Sequence, residues 1–338
     1  MPEPSRTNIR QVAALAGVSH QTVSRVLNDH PNIRAATRER VLQVIEEVGY
    51  RPNSAARALA TAKSSRIGVL VDSAVEFGPN STLRGIEYAA RATGYSVASV
   101  TIGADSTLDP AVAVGHLTAQ GVDALCLIAP RQSSLESLRD ATLHIPTLVV
   151  TAAADDTFLT ASVDQQLGAS LAVRHLIELG HRRIGHLAGP LDWLDARGRH
   201  RAWQAELASA GLDVPEVVIG DWTADFAYEV AARPSVLDEC TAVFAANDQM
   251  ALGLIHGFAD RGIDVPGRIS IVGFDDLPEA KHFLPPLTTV RQDFRALGER
   301  SVEVLLAELE GRDHTRRVLI EPELVVRQST VTMRPGLQ

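Results

Sequence analysis

Apolar residues follow two different rhythms along this chain. Up to about residue 50 they recur every three or four positions in short bursts. In NIRQVAALA, Ile9, Val12, Ala13 and Ala16 share one helical face, and Thr7 is placed to cap the start. Gly17 stands where a left-handed residue ends a helix, Val18 turns inward, and Ser19 is placed to cap a second helix, HQTVSRVLN. A third helix, RERVLQVIEEV, follows Thr37 and stops at Gly49. Two short helices joined through Gly-Val-Ser form a helix-turn-helix pattern. From Arg66 onward the rhythm changes. Short apolar runs (RIGVLV, YSVASVTI, ALCLIA, TLVVT, RRIGHLAG, AVFAAN, ISIVGF) alternate with amphipathic stretches such as STLRGIEYAARATG, QLGASLAVRHLIELG and DQMALGLIHGFADRG. Strands followed by crossover helices imply a parallel sheet covered on both faces. The units are too many for one ordinary sheet, so the pattern predicts two doubly wound subdomains, with seams near 162–164 and 287–294.

The second helix has two unlike faces. At about 100° per residue, Val23, Val26 and Leu27 cluster on one side, and His20, Gln21, Ser24 and Arg25 cover the other. The apolar side can lock onto its neighbours while an amide and a guanidinium stay free. Those groups pair bidentately with adenine and guanine edges in a major groove. Beyond Gly49, PNSAARALA is rich in Ala but too short to hold a helix alone in water. The organisation expected is therefore a head over 1–52, a hinge helix and linker over 53–65, and a core over 66–335.

In the body, polar residues gather just after strands, where ligands collect in open parallel sheets. HLAG leads to Trp193, Asp195, Arg197 and Arg199. AVFAAN ends on Asn247 before Asp248, ISIVGF leads to Asp275 and Asp276, and GDW supplies Trp222. Carboxylates, an amide and a guanidinium suit adjacent sugar hydroxyls, and an indole suits the C–H face of a ring. Asp248 and Asp276 are expected to be caps or structural links.

Composition and charge refine this picture. The chain has 338 residues, 45% hydrophobic and 22% charged, as in ordinary globular proteins, with net charge −9. Residues 1–66 nevertheless carry ten Lys or Arg against five Asp or Glu, so a basic head precedes an acidic body. Cys126 and Cys240 each lie in an apolar run and read as buried thiols. No apolar stretch approaches the ~20 residues of a membrane span. MPEPSRTNIR has no apolar core behind its charges, so a cytoplasmic location without membrane contact is expected.

QVAALAGVSHQTVSRVLN and TRERVLQVIEEVGYRPNSAARALA resemble the DNA-binding head of the lactose/galactose repressor (LacI/GalR) family almost without gaps. GDW, FAANDQMALG, ISIVGFDD, PPLTTVRQDFRALG and VRQST extend the resemblance through the body. It implies a periplasmic-binding-protein-like core and a carbohydrate-responsive repressor. His20, Gln21 and Arg25 would read the operator, while Thr22, Ser24, Asn28 and Asn53 would anchor to phosphates. Residues 53–60, including Ala56, would form a hinge helix that folds over the operator's centre, with Leu59 wedged into the minor groove. Arg199, Asn247, Asp275 and Trp222 would hold a sugar, a β-galactoside or a relative of one, with Phe294 and Asp195 nearby. Asp72, Gly78 and Pro79 fall where the first subdomain's cleft loop belongs, though VDSAVEFGPN departs from the family pattern and Thr151 stands where a polar or acidic ligand group is expected. The chain stops at VTMRPGLQ without a leucine heptad, so the expected assembly is a homodimer on a pseudo-palindromic operator.

An enzyme is not expected, nor is a cofactor. GxSxG, Walker, GxGxxG and HExxH motifs are all missing. His175, His181 and His186 straddle a helix end, a turn and a strand, which is poor metal geometry. Asp275-Asp276 lacks an opposing acid for glycoside hydrolysis. Two alternatives remain open: an extracytoplasmic-type sugar-binding protein, and a regulator that uses its ligand as corepressor.

Overall fold

The computed structural model describes residues 8–27, 30–50, 63–72, 76–103, 108–140 and 143–333. They separate into two compact units, one up to Ser64 and one from Ser65.

The first unit holds α1 (Ile9–Leu15), α2 (His20–Leu27) and α3 (Ala35–Glu47). Val12, Ala13, Ala16, Val23, Val26, Val41 and Val44 form its core. Asn8 caps α1 and Gln11 reaches back to close a reciprocal box; the expected cap, Thr7, lies outside the described residues. Gly17 has φ +64, the left-handed conformation that lets Val18 N–H bond back to the Ala13 carbonyl at 3.0 Å. Ser19 does cap α2, accepting from Thr22 N–H at 3.1 Å. Helix α3 starts three residues earlier than the apolar pattern suggests, because Ala35 and Ala36 extend it without a side-chain cap.

The second unit contains two six-stranded sheets. The first has the order β11-β5-β4-β3-β1-β2, built from β1 (Arg66–Asp72), β2 (Ser96–Ile102), β3 (Ala124–Ile128), β4 (Thr147–Val150), β5 (Leu159–Val163) and β11 (Arg317–Ile320). The second has the order β12-β10-β9-β8-β6-β7, built from β6 (Ile184–Ala188), β7 (Val218–Ile219), β8 (Ala242–Ala245), β9 (Ser270–Asp275), β10 (Thr288–Arg291) and β12 (Glu323–Val325). Every pairing is parallel except β10 with β12. The helices are α4 (Phe77–Ala92), α5 (Pro110–Ala119), α6 (Gln132–Asp140), α7 (Gln165–Glu178), α8 (Leu194–Ser209), α9 (Ala224–Ala231), α10 (Asp248–Asp260) and α11 (Phe294–Leu309). Strands β5, β7, β10, β11 and β12 are absent from the apolar runs. They are short or rich in Thr and Ser, and buried Thr160, Thr288 and Thr289 do not register as hydrophobic. Cys126 and Cys240 are free and buried. Among the described residues no helix is long and apolar enough to cross a membrane.

The chain passes between the sheets three times, each time in one or two residues: at Asp164, at Gln292-Asp293, and at Glu321-Pro322. The third passage has no apolar signature. Asp164 N–H donates to the Ile320 carbonyl at 2.9 Å, tying the first passage to the third. Asp164 and Asp293 also cap α7 and α11 by accepting from Leu167 N–H and Ala296 N–H. Such short, tied connections permit rotation of one half against the other but little translation.

Helices α4 and α11 meet backbone to backbone at Gly85 and Gly298, where a methyl group on Gly298 would land on the Gly85 carbonyl carbon. Backbone cannot move aside like a side-chain tip, so Gly298→Ala is expected to destabilise the larger unit by about 1–3 kcal/mol. Thermal unfolding followed by circular dichroism checks this, against Gly115→Ala, a helical site with open space around it.

Candidate functional site

Two surfaces carry the chemistry, one on each unit. On the first, α2 buries Val23 and Val26 and exposes His20, Gln21 and Arg25, whose side chains have no partner among the described residues. Thr22 and Ser24 are half-buried at the edge of that face, and the Thr22 hydroxyl lies 3.0 Å from that of Ser19. Asn28, Asn53, Ala56 and Leu59 fall outside the described residues. A short helix anchored by valines and presenting an amide, an imidazole and a guanidinium to solvent is shaped to enter a groove of duplex DNA.

On the second unit, a cavity lies between the two sheets at the ends of their strands. Pro79, Asp195, Arg199, Trp222, Asn247, Asp275 and Phe294 all line it. The first half of the unit contributes Pro79 from the start of α4 and Thr151 after β4; the second contributes α8, the ends of β8 and β9, and the loop after β7. The centre is a closed polar ring. Arg199 Nε donates to Gln165 Oε1 at 2.8 Å, Gln165 Nε2 donates to Gln292 Oε1 at 2.8 Å, and Gln292 Nε2 donates to Asp275 Oδ1 at 2.6 Å. Asp275 Oδ1 returns to Arg199 Nη2 at 3.8 Å. Arg199 also donates to the Ala246 carbonyl and sits 3.8 Å above the Phe274 ring centroid. All four ring members are buried, so each lost partner would leave an uncompensated polar group.

Trp193 and Trp222 meet edge to face, with centroids 5.3 Å apart, and form an apolar wall. Gly189 makes this possible, since a Cβ there would strike the Trp222 ring. The Trp222 indole N–H is buried and has no partner among the described residues. Trp222 and Asp275 hold φ of +75° and +109°, sparsely populated for residues with side chains. Such outliers cost of order 1–3 kcal/mol each and tend to cluster at binding sites. Asn247 lines the cavity with its amide already engaged: Oδ1 accepts from Met250 N–H and Nδ2 donates to the Trp222 carbonyl. It shapes the wall and retains little free hydrogen-bonding capacity.

The walls are acidic. Burial pushes the Asp275 carboxyl up to about 6, against the pull of Arg199 and Gln292. Burial also raises Asp195, opposed by Arg199, and raises Glu76, helped by Asp221 and opposed by Arg131. Glu76 lines the cavity and Asp72 does not: Asp72 accepts from the Ser134 hydroxyl at 2.6 Å. That corrects the expectation for Asp72, and Glu76 adds an acid to the lining that also includes Thr151. Gln165, Gln292 and Glu76 carry no motif that marks them in the sequence. Asp248 and Asp276 are structural links, as expected. Asp248 accepts from Leu277 N–H and the Thr289 hydroxyl, and Asp276 pairs with Arg291 and Arg327. His181 is spent on Thr241 and the Val331 carbonyl, and among the described residues no His, Cys, Asp and Glu group could hold a metal.

A helix-turn-helix unit followed by a two-sheet, periplasmic-binding type of cleft defines a ligand-responsive regulator of transcription. Residues 8–53 match the family model for bacterial regulatory proteins of the lacI family, and residues 173–330 match that for the periplasmic binding protein-like domain. The chain is 34% identical over 324 residues to the lactose operon repressor of Escherichia coli K12, covering 95% of this chain and 89% of that one. It is 30% identical over 328 residues to the HTH-type transcriptional repressor PurR of Vibrio parahaemolyticus serotype O3:K6, covering 95% and 98%. Its fold matches the crystal structure of the lac repressor dimer bound to operator and the anti-inducer ONPF, with a TM-score of 0.85 at 34% identity over 97% of this chain and all of that one. The chain belongs to the lacI family of DNA-binding transcriptional repressors.

The Asp275 carboxyl takes up a proton more readily folded than unfolded, where its pKa is near 3.8. Its contribution to stability is full below pH ~4 and is lost as pH rises through about 6. Melting temperatures of the protein should therefore fall between about pH 4 and 6 relative to those of Asp275→Asn, which cannot ionise, and run parallel to them above that; profiles parallel across the whole range would show that Asp275 does not titrate there.

Proposed function

We propose that the protein is a homodimeric repressor of sugar-utilisation genes, released from a pseudo-palindromic operator by a neutral saccharide, a β-galactoside or a related sugar. The observation that carries this reading is the convergence of seven chemically apt side chains on one cavity whose polar ring includes residues at the passages between the sheets. Arg199, Asp275 and Asp195 can pair with ring hydroxyls, the Trp222 indole N–H offers one unused donor, and Trp193, Trp222 and Phe294 can cover a sugar's C–H face. Glu76, Asp195 and Asp275 make the walls acidic, which suits hydroxyl donors and disfavours anionic effectors. His20, Gln21 and Arg25 would read base edges, with Thr22, Ser24, Asn28 and Asn53 on phosphates. Residues 53–60, with Ala56 and Leu59, would pair across the dimer over the operator's centre. A self-association surface is available on the second half of the body. Leu284 is 87% exposed beside Ile255, Ala259, Ile263 and Val265.

The cavity encloses only about 60 Å³ of free space, below the ~300 Å³ of a typical small-molecule pocket. A sugar therefore has to part the walls, and parting them turns one half of the body against the other about the three passages. The ligand thus has different affinities for the two arrangements, which is what coupling to a distant operator requires. The PurR relative raises a second reading, in which the ligand is not a sugar or tightens the DNA complex.

Operator binding by fluorescence anisotropy, repeated across a panel of neutral saccharides, tests the reading. Arg199→Ala and Asp275→Ala are expected to keep operator affinity within about threefold and to lose release by the sugar. A folded variant that instead loses operator binding, or a sugar that releases it as well as before, contradicts the cleft assignment. Arg25→Ala should cost about 1–3 kcal/mol and relax base preference at one position of each half-site; uniform weakening across operator sequences would place Arg25 on a phosphate.

A further inference from the structure

Behind the polar ring lies a second hollow, of about 480 Å³, lined from both halves of the body. Its size falls in the range of metabolite pockets, about 300–1,000 Å³. Three arginines line it. Arg197 and Arg201 project from one face of α8, one turn apart, and Arg317 comes from the edge strand β11 of the first sheet. Like charges one helical turn apart repel by a few tenths of a kcal/mol, and no carboxylate among the described residues forms an ion pair with either. Arg201 and Arg317 have neither hydrogen bond nor ion pair among the described residues. Arg197 makes a long contact with Gln132 at 3.5 Å and leaves its Nε buried without a partner among the described residues. Among the described residues the only carboxylate in the lining is Asp164, and it is engaged in capping α7. The first turn of α7, Gln165 and Gln166, also faces the hollow, adding the positive end of a 14-residue helix.

We propose that this hollow is a second effector site, which takes a small phosphorylated metabolite by its phosphoryl group. A phosphoryl dianion meets what the arginines lack, since guanidinium groups fork onto its oxygens. The volume left over suits the rest of a hexose-sized molecule. The site also sits where it can act. Arg317 belongs to the first half, Arg197 and Arg201 to the second, and the lining includes the passage at Asp164. An anion bridging them holds the two halves at one angle. Gln165 lines both this hollow and the cavity and is bonded to Arg199 and Gln292, so occupancy of either site biases the other, reciprocally. The acidic cavity and the basic hollow thus sort neutral from phosphorylated ligands on opposite sides of the same passages.

Isothermal titration calorimetry of the full chain in 150 mM salt, with glucose 6-phosphate, inorganic phosphate, sulfate and glucose as probes, tests the proposal. Glucose 6-phosphate is expected to bind saturably, at least tenfold more weakly to an Arg201→Ala/Arg317→Ala double variant and unchanged in Arg300→Ala, an exposed arginine of α11 that lines neither hollow. The double variant should keep its circular dichroism spectrum, since both side chains are exposed. Inorganic phosphate binding as tightly as glucose 6-phosphate, with the same loss in the variant, supports the phosphoryl site with free phosphate as its occupant. Absence of binding by both phosphates overturns the proposal. So does binding undiminished in the double variant, an equal loss of binding in Arg300→Ala, or sulfate binding as tightly as the phosphates. The outcome is independent of the saccharide reading, because a protein whose cavity takes no sugar would still bind through the arginines.

Discussion

Four buried side chains, Arg199, Gln165, Gln292 and Asp275, form the constraint on which the body depends. A guanidinium and a carboxylate are both held in the interior, and two glutamines relay hydrogen bonds between them. Each glutamine both donates and accepts, so loss of any member strands at least two polar groups away from water. Gln292 lies within one passage between the sheets and Gln165 opens the helix directly after another. The same four residues therefore line the cleft and brace the joint. A ligand that exchanges partners with Arg199 or Asp275 necessarily disturbs what sets the angle between the halves.

The surroundings fit this role. The passages are one or two residues long and two of them cap the helices that follow, so motion there is confined to rotation. Trp222 and Asp275 sit in strained backbone conformations, and Trp222 keeps an unused indole donor. Strain, an orphaned donor and a half-closed cavity are the features of a site whose best partner is a ligand rather than itself. The head obeys simpler rules. Its valine core leaves His20, Gln21 and Arg25 exposed on one face of α2, with no side-chain partner among the described residues.

Much of this was legible in the sequence because it follows from periodicity and from strand ends. Gly17 and Ser19 announce the turn between α1 and α2, and Val23 and Val26 separate the buried from the free face. Asn247 and Asp275 stand at the ends of apolar runs, where parallel sheets present ligands, and Arg199 lies on the helix that follows another such run. What stayed hidden is polar and buried. Gln165 and Gln292 look like surface residues until the passages bury them, and β5 and β10 are stitched by threonines that no hydrophobic pattern reveals. Along the cleft loop the carboxylate that matters is Glu76, four residues beyond Asp72, because α4 begins earlier than its apolar face suggests and turns that side chain toward the cavity's edge. Arg197, two residues from Arg199, faces the other way, since neighbours at that spacing lie on different sides of a helix.

The central claim is that occupancy of the cleft and the angle between the halves are one equilibrium joined through the glutamine relay. Pulsed electron–electron resonance between spin labels at Arg91→Cys on α4 and Glu229→Cys on α9, both exposed positions, reads that angle directly. The native cysteines are buried and will not compete for the label. With a saccharide that binds the cleft, the account predicts a shifted distance distribution in the intact relay and a distribution no longer responsive to the sugar in Gln165→Ala/Gln292→Ala. An identical distribution with and without saturating sugar in the intact protein would contradict it.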